Sequence, residues 1–267
     1  MPVHDELGKR MKRYEAIPQI SLMRRTPVAI RIDGKAFHTF TKHLRKPYDK
    51  LFHEAMENTM KYLCENIQNC IFGYTQSDEI TLILIDYETL NTDAWFGYEV
   101  QKLCSISASM ATMKFNQEFQ RLVENYIWEW THDMVPQSIG LWEKEKAYHT
   151  HLKDCITRGA MFDARCFNIP KEEVVNLVLW RQFDAERNSI QAMGQSNFSH
   201  KELQNKNCGE ILKMLEDKGI FWKNYSNAFK HGVACVNNGD GWELDYNMPM
   251  LKGEDRNYLE GLIYLNE

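Results

Sequence analysis

Apolar and polar positions alternate from Pro27 to Asp33 (PVAIRID), placing Val28, Ile30 and Ile32 on one face of a predicted strand and Asp33 on the other, at its end. The period then lengthens. Phe52, Ala55, Met56, Thr59, Met60, Leu63 and Ile67 recur at helical spacing over 47–67, with Pro47 suited to the first turn. Two apolar runs follow, CIFGY at 70–74 and ITLILI at 80–85, and the polar Thr75-Gln76-Ser77-Asp78-Glu79 between them predicts a hairpin with acids at its tip. A helix over much of 93–125 and a strand at 159–169 (GAMFDARCFNI) complete the order β-α-β-β-α-β, and a helix from Lys171 to about Met193 follows. That order is the split ferredoxin-like pattern of an α+β domain, an antiparallel sheet with helices across one face. Beyond it, Ser199 with Glu202 forms a capping box, Gly219 marks a helix stop and Asn238-Gly239-Asp240-Gly241 a turn. The expected division is therefore 1–195 and a helical and hairpin region, 196–267, packed on it.

Composition narrows the class. With 267 residues, 43% of them hydrophobic, the chain can bury a substantial core. A net charge of −5 and a pI near 6.0 exclude coating of nucleic acid through bulk charge. Local basic clusters at Lys9, Arg10, Lys12 and Arg13, at Arg24 and Arg25, and at Lys42, Arg45 and Lys46 remain available for phosphates, or as solvated faces. No apolar stretch approaches the roughly 20 residues needed to span a bilayer, and the N-terminus is too charged for a signal peptide, so a cytoplasmic location and no membrane contact are expected. Seven scattered cysteines, none in a CxxC pair, predict reduced thiols rather than disulfides or zinc. His149 and His151 lie two apart and splay to different sides of a helix, which argues against a metal pair; Trp128 and Trp130 are expected to pack rather than stack on bases.

The acids carry the candidate chemistry. In the predicted topology the first strand lies beside the hairpin, so Asp33 and Asp78 meet at one end of the sheet, with Glu79 adjoining. Like charges at close range cost stability unless a cation neutralises them, which points to a divalent-metal site for nucleotidyl transfer. Asp-Gly and Ser-Asp are also ordinary turn formers, but their joint occurrence at the ends of adjacent strands favours a site. Gly34, without a side chain, lets backbone groups approach a metal or a triphosphate.

The stretches RIDGKAFHTFTK, KPYD and YTQSDEIT, followed by FDAR at 162–165 and WRQFDAERNSI at 180–190, resemble the tRNA(His) guanylyltransferase family and its bacterial and archaeal 3′–5′ polymerase-like members, over roughly residues 8–235. The resemblance implies a palm-like catalytic domain over 1–195. It also implies activation of a tRNA 5′-monophosphate by ATP or GTP, then attack of an incoming nucleotide's 3′-hydroxyl, with two Mg²⁺ ions per site. By the same resemblance Asp33, Asp78 and Glu79 are catalytic, with metal held by Asp33, Asp78 and the Gly34 carbonyl. Gly34, Lys35, Ala36, Phe37, His38, Lys46, Asp49, Ser77 and Lys102 would bind nucleotide, Lys35 replacing an arginine of many eukaryotic members. Asp49 also reads as a helix N-terminal charge. Arg181, Gln182, Arg187 and Asn188 could face RNA, and relatives assemble as homotetramers, dimers of dimers.

Where members that recognise the histidine anticodon carry His-Ile-Asn-Asn, this chain has Glu186-Arg187-Asn188-Ser189. That departure resembles the bacterial polymerase-like branch and favours templated 3′–5′ addition at a 5′-truncated tRNA over a single guanosine on tRNA(His). A palm-type nucleotide cyclase is the rival reaction, but the hairpin reads TQSDE rather than Gly-Gly-acidic. A non-catalytic tRNA-binding module is the rival class, and the intact acids argue against it.

Overall fold

The strand expected over 27–33 runs as β1 (Val28–Gly34) in the computed structural model, which describes residues 3–133 and 139–265. It is preceded by α1 (Val3–Ala16) and followed by the short α2 (Phe37–Phe40) and by α3 (Lys50–Asn66). Next come β2 (Cys70–Gln76), β3 (Glu79–Leu84), a 3₁₀ turn at Trp95–Tyr98, α4 (Val100–Asp133) and α5 (Ile139–Arg158). β4 (Phe162–Asn168), α6 (Lys171–Asn197), α7 (His200–Leu203), α8 (Cys208–Asp217), α9 (Asn227–His231), β5 (Val233–Asn237), β6 (Trp242–Asp245) and α10 (Asn257–Ile263) complete the chain. Helix α3 starts later than Pro47 because Asp49 caps it, accepting from the Phe52 N–H at 3.1 Å.

All strand pairs are antiparallel, in the order β4-β1-β3-β2-β5-β6. The first four are in the split βαββαβ order read from the sequence, and β5–β6 extend the same sheet beyond β2. Strand alternation divides the core between two faces. Val28, Ile30 and Ile32, with Ile80, Leu82 and Leu84, pack under α3 and α4, but helices expected on one face of the sheet cover both. Ala29, Ile83, Phe72 and Tyr74 point the other way, where Val174, Val175 and Val178 of α6 and Leu259 and Ile263 of α10 cover them. Every residue of β3 is buried, so its unbroken apolar run has two faces to cover, and α6 supplies the second layer.

Among the described residues, no helix is long and apolar enough to cross a membrane. The expected packing of tryptophans fails at Trp128, which is exposed near the end of α4, its ring stacked on His132 one turn on. His149 faces Tyr126 and Trp130, whereas His151 faces His43 and Cys155, so the two do splay apart. All seven cysteines are free.

Candidate active site

Cross-strand pairing places Asp33, the penultimate residue of β1, opposite Glu79 of β3 on one side and Asp163 of β4 on the other. The hairpin tip folds against the end of β1, with the Gly34 N–H donating to the Asp78 carbonyl at 3.1 Å. Asp33 and Asp78 thus meet, both half-buried, at one end of the sheet. Burial raises the Asp78 carboxyl pKa, the negative charge of Asp33 raises it further, and the Ser77 hydroxyl, donating at 3.1 Å, offsets part of this. The ion pairs at this end of the sheet engage Glu79, Asp163 and Asp184, not Asp33 or Asp78, among the described residues.

Glu79 differs from its neighbour. It is buried, and the Arg181 guanidinium donates to it at 3.1 Å while Arg31 Nε lies at 3.5 Å. Burial raises its pKa and both arginines counter the rise. Because Arg31 stands two residues before Asp33 on the same face of β1, the Arg31–Glu79–Arg181 cluster forms the floor beside the aspartates.

The loop after Asp33 needs its glycine. A Cβ on Gly34 would sit 2.3 Å from the Phe37 ring, which is buried against Phe40, Phe52, Phe115 and Phe162. Ala36 takes a left-handed conformation at φ 56°, and its side chain gives α2 no cap. This turn walls a cleft of about 520 Å³ lined by Gly34, Ala36, His38, Ser77, Asp78 and Asn188. An adjoining cavity of about 150 Å³ shares Ser77 and Asn188 and adds Lys46 and Asp49. Predicted residues from four separate stretches of chain therefore line one recess.

Others serve the fold. The Asp49 carboxylate is saturated by the N–H groups of Arg45 and Phe52 and by the Tyr148 hydroxyl at 2.6 Å. The Phe37 ring is core, leaving its backbone to the cleft, and Lys35 is exposed and lines neither cavity. Lys102 lies apart from this recess within the chain. It sits in the first turn of α4, paired with Glu99, where Val100 meets Cys166, and α4 reaches the acid end of β4 only at Thr112, about 15 Å further along its axis.

Arg181 and Gln182 are corrected as RNA-facing residues. Both are buried because α6 turns this face to the sheet and to the chain before α10; Arg181 neutralises Glu79, and Gln182 bridges the Pro249 carbonyl and the Leu251 N–H. Arg187 is exposed and paired with Asp184, while Asn188 faces the cleft and donates to Gln76 at 3.4 Å. The sequence reading missed Arg31, whose place in the alternation PVAIRID put it on the face of Asp33, and Gln195, which lines the cleft two helical turns beyond Asn188.

A family model described as Thg1, tRNAHis guanylyltransferase, matches residues 8–170. The chain is similar to a bacterial tRNA(His) guanylyltransferase (Thg1)-like protein solved in complex with ATP, at 37% identity and a TM-score of 0.81, covering 97% of this chain and 100% of that one. The corresponding complex with GTP aligns at 33% identity and a TM-score of 0.72 with the same coverage. An uncharacterized protein of Acanthamoeba polyphaga mimivirus is 29% identical over 243 residues, 86% of this chain and 77% of that protein. With the motif-bearing loops assembled on the same palm-like sheet, the chain belongs to the tRNA(His) guanylyltransferase family of nucleotidyltransferases.

Proposed function

We propose that this protein adds nucleotides in the 3′–5′ direction, on a template, to the 5′ end of a truncated tRNA. The observation that carries the reading is the half-buried Asp33–Asp78 pair, without a protein cation among the described residues, beside a cleft of about 520 Å³ that Gly34 and Asp78 line. The two similar bacterial structures, one with ATP and one with GTP, support nucleoside triphosphates as the ligands of that cleft.

The donor chemistry fits Mg²⁺. No three carboxylate, histidine or cysteine side chains converge into a metal cage among the described residues, and Mg²⁺ does not need one: it takes one or two carboxylates, waters and substrate phosphates. Asp33, Asp78 and the Gly34 carbonyl would hold it, and two such ions when bound supply Lewis-acid polarisation of phosphoryl oxygens and acidify an attacking hydroxyl. The chain's own residues do the remainder. The backbone of Gly34–His38 cradles the triphosphate, Lys46 and Ser77 flank it, and Glu79 locks the ends of β1 and β3 through Arg31 and Arg181. Asp49 positions the Arg45–Lys46 segment through its bond to the Arg45 N–H.

Templated addition is favoured over anticodon-dependent guanosine addition by the use of the Glu186–Ser189 segment. Arg187 is paired with Asp184, and the Ser189 hydroxyl accepts from the Trp222 indole at 2.9 Å, so of this stretch Asn188 is the residue turned to the cleft. On the same reading the protein is cytoplasmic and works as a homotetramer; the exposed Leu7, Met11 and Tyr14 of α1 offer an apolar stripe for a second copy, and light scattering measures the size of the assembly.

The test is incubation with ATP, each NTP and a 5′-monophosphorylated tRNA lacking its first nucleotide. Incorporation of the templated nucleotide is expected. No incorporation, or cyclic nucleotide from NTPs without RNA, contradicts the reading.

A further inference from the structure

Helix α6 outruns the sheet it covers. Arg181 reaches Glu79 and Asn188 reaches Gln76, the last residue of β2, yet the helix continues to Asn197, about 14 Å further. A separate small core holds this overhang: Ile190 and Met193 pack on Ile211 and Leu215 of α8. Gly194 permits the close approach, since a Cβ there would lie 2.9 Å from Ile211 Cγ2.

The opposite side of the overhang carries Asn188, Gln191 and Gln195, at i, i+3 and i+7 along one stripe. Asn188 and Gln195 line the cleft of the aspartates. Gln191 and Gln195 line a second groove of about 550 Å³, which continues past Phe198 to His200 and Lys206. The two recesses meet at Gln195. Both glutamines are exposed, and their amides make no hydrogen bond among the described residues. Beyond them Lys218 Nζ sits 4.0 Å from the Phe198 ring centroid.

On the proposed function a nucleoside triphosphate occupies the acid cleft and has no use for a neutral, amide-lined extension, which ends at the exposed His200 and at Lys206, itself paired with Glu210 at 3.1 Å. A polynucleotide does, because amides donate to phosphate oxygens and exchange hydrogen bonds with 2′-hydroxyls without reading sequence. We infer that the RNA strand whose 5′ end enters the acid cleft lies along this stripe, from Asn188 past Gln191 and Gln195 to the His200–Lys206 turn. The inference rests on the reading that RNA is the substrate, and it assigns the face by which that RNA approaches.

The test is a Gln191→Glu/His200→Glu double variant, at exposed positions outside the acid cleft where glutamate keeps helix propensity, with Gln191→Ala/His200→Ala beside it. Circular dichroism melting checks that both fold as the unmodified protein does. The readouts are filter-binding Kd for the 5′-truncated tRNA without nucleotide, and the KM values for that RNA and for ATP in the activation step. The acidic variant is expected to raise the RNA Kd and KM about fivefold or more at low salt, by repulsion of phosphates, and to leave the ATP KM unchanged. The alanine variant should give a smaller rise of the same kind. Unchanged RNA constants, or an ATP KM that rises equally, would overturn the inference. If the unmodified protein binds RNA and transfers no nucleotide, the functional reading fails while the filter-binding comparison still decides the track.

Discussion

Asp78 and Glu79 are adjacent carboxylates with opposite expected responses to substitution. Asp78 lies near the charge of Asp33, so Asp78→Asn removes a repulsion; the melting temperature should hold or rise slightly while nucleotidyl transfer falls about a thousandfold or more. Glu79→Gln instead leaves the buried Arg181 guanidinium with Asp184, at 3.3 Å, as its remaining counter-charge and should cost about 1–3 kcal/mol, seen as a fall in melting temperature. Equal stability losses in the two variants would contradict these roles. Glu57 adds a pH dependence. It is buried, accepts a bond from the Tyr246 hydroxyl at 3.1 Å, and burial pushes its pKa up to about 7. Below the unfolded value near 4.5 both states are protonated and no stability is lost. As pH rises towards 7 the unfolded chain ionises first, so stability falls by on the order of 2–3 kcal/mol and stays low above it. Glu57→Gln should flatten this decline between pH 4.5 and 8 in denaturant melts; an unchanged slope would show that another group titrates.

At the scale of elements, helix α6 joins the sheet to the site. Gly194→Val should drive side-chain atoms into Ile211, cost about 1–3 kcal/mol and speed amide exchange in α8 before β1 and β3. Unaltered exchange in α8 would contradict the tight contact. The same helix shows what the sequence made legible. The alternation in PVAIRID and the acids between CIFGY and ITLILI located the site end of the sheet, because strand period and hairpin turns are local signals. The direction of the WRQ segment was not local. Arg181 and Gln182 read as solvent-seeking polar groups, yet burial of β3 on both sides requires α6 to face the sheet there, and each side chain finds its partners more than 60 residues away in sequence. The place of Lys102 in the chain was hidden for a related reason, since its distance from the acids depends on the end of β4 at which α4 begins. Extension of the sheet by β5 likewise depends on pairing with β2, distant in the chain.

Across the whole molecule, an acidic chain with a net charge of −5 has no broad electrostatic hold on RNA, so substrate binding must come from placed groups around one recess. The sheet contributes the aspartates, the turn after β1 contributes backbone and a cleft wall, and α6 contributes the facing wall. On the proposed reading the Glu186–Ser189 segment, which lacks His-Ile-Asn-Asn, does not read an anticodon, and pairing with the RNA itself chooses the nucleotide. The central claim is therefore tested most directly by changing the template base opposite the missing 5′ nucleotide of a truncated tRNA, through all four identities, and measuring which NTP is added. The account predicts that the added nucleotide switches to the Watson–Crick partner in each case. Addition of guanosine regardless of the opposing base would contradict it.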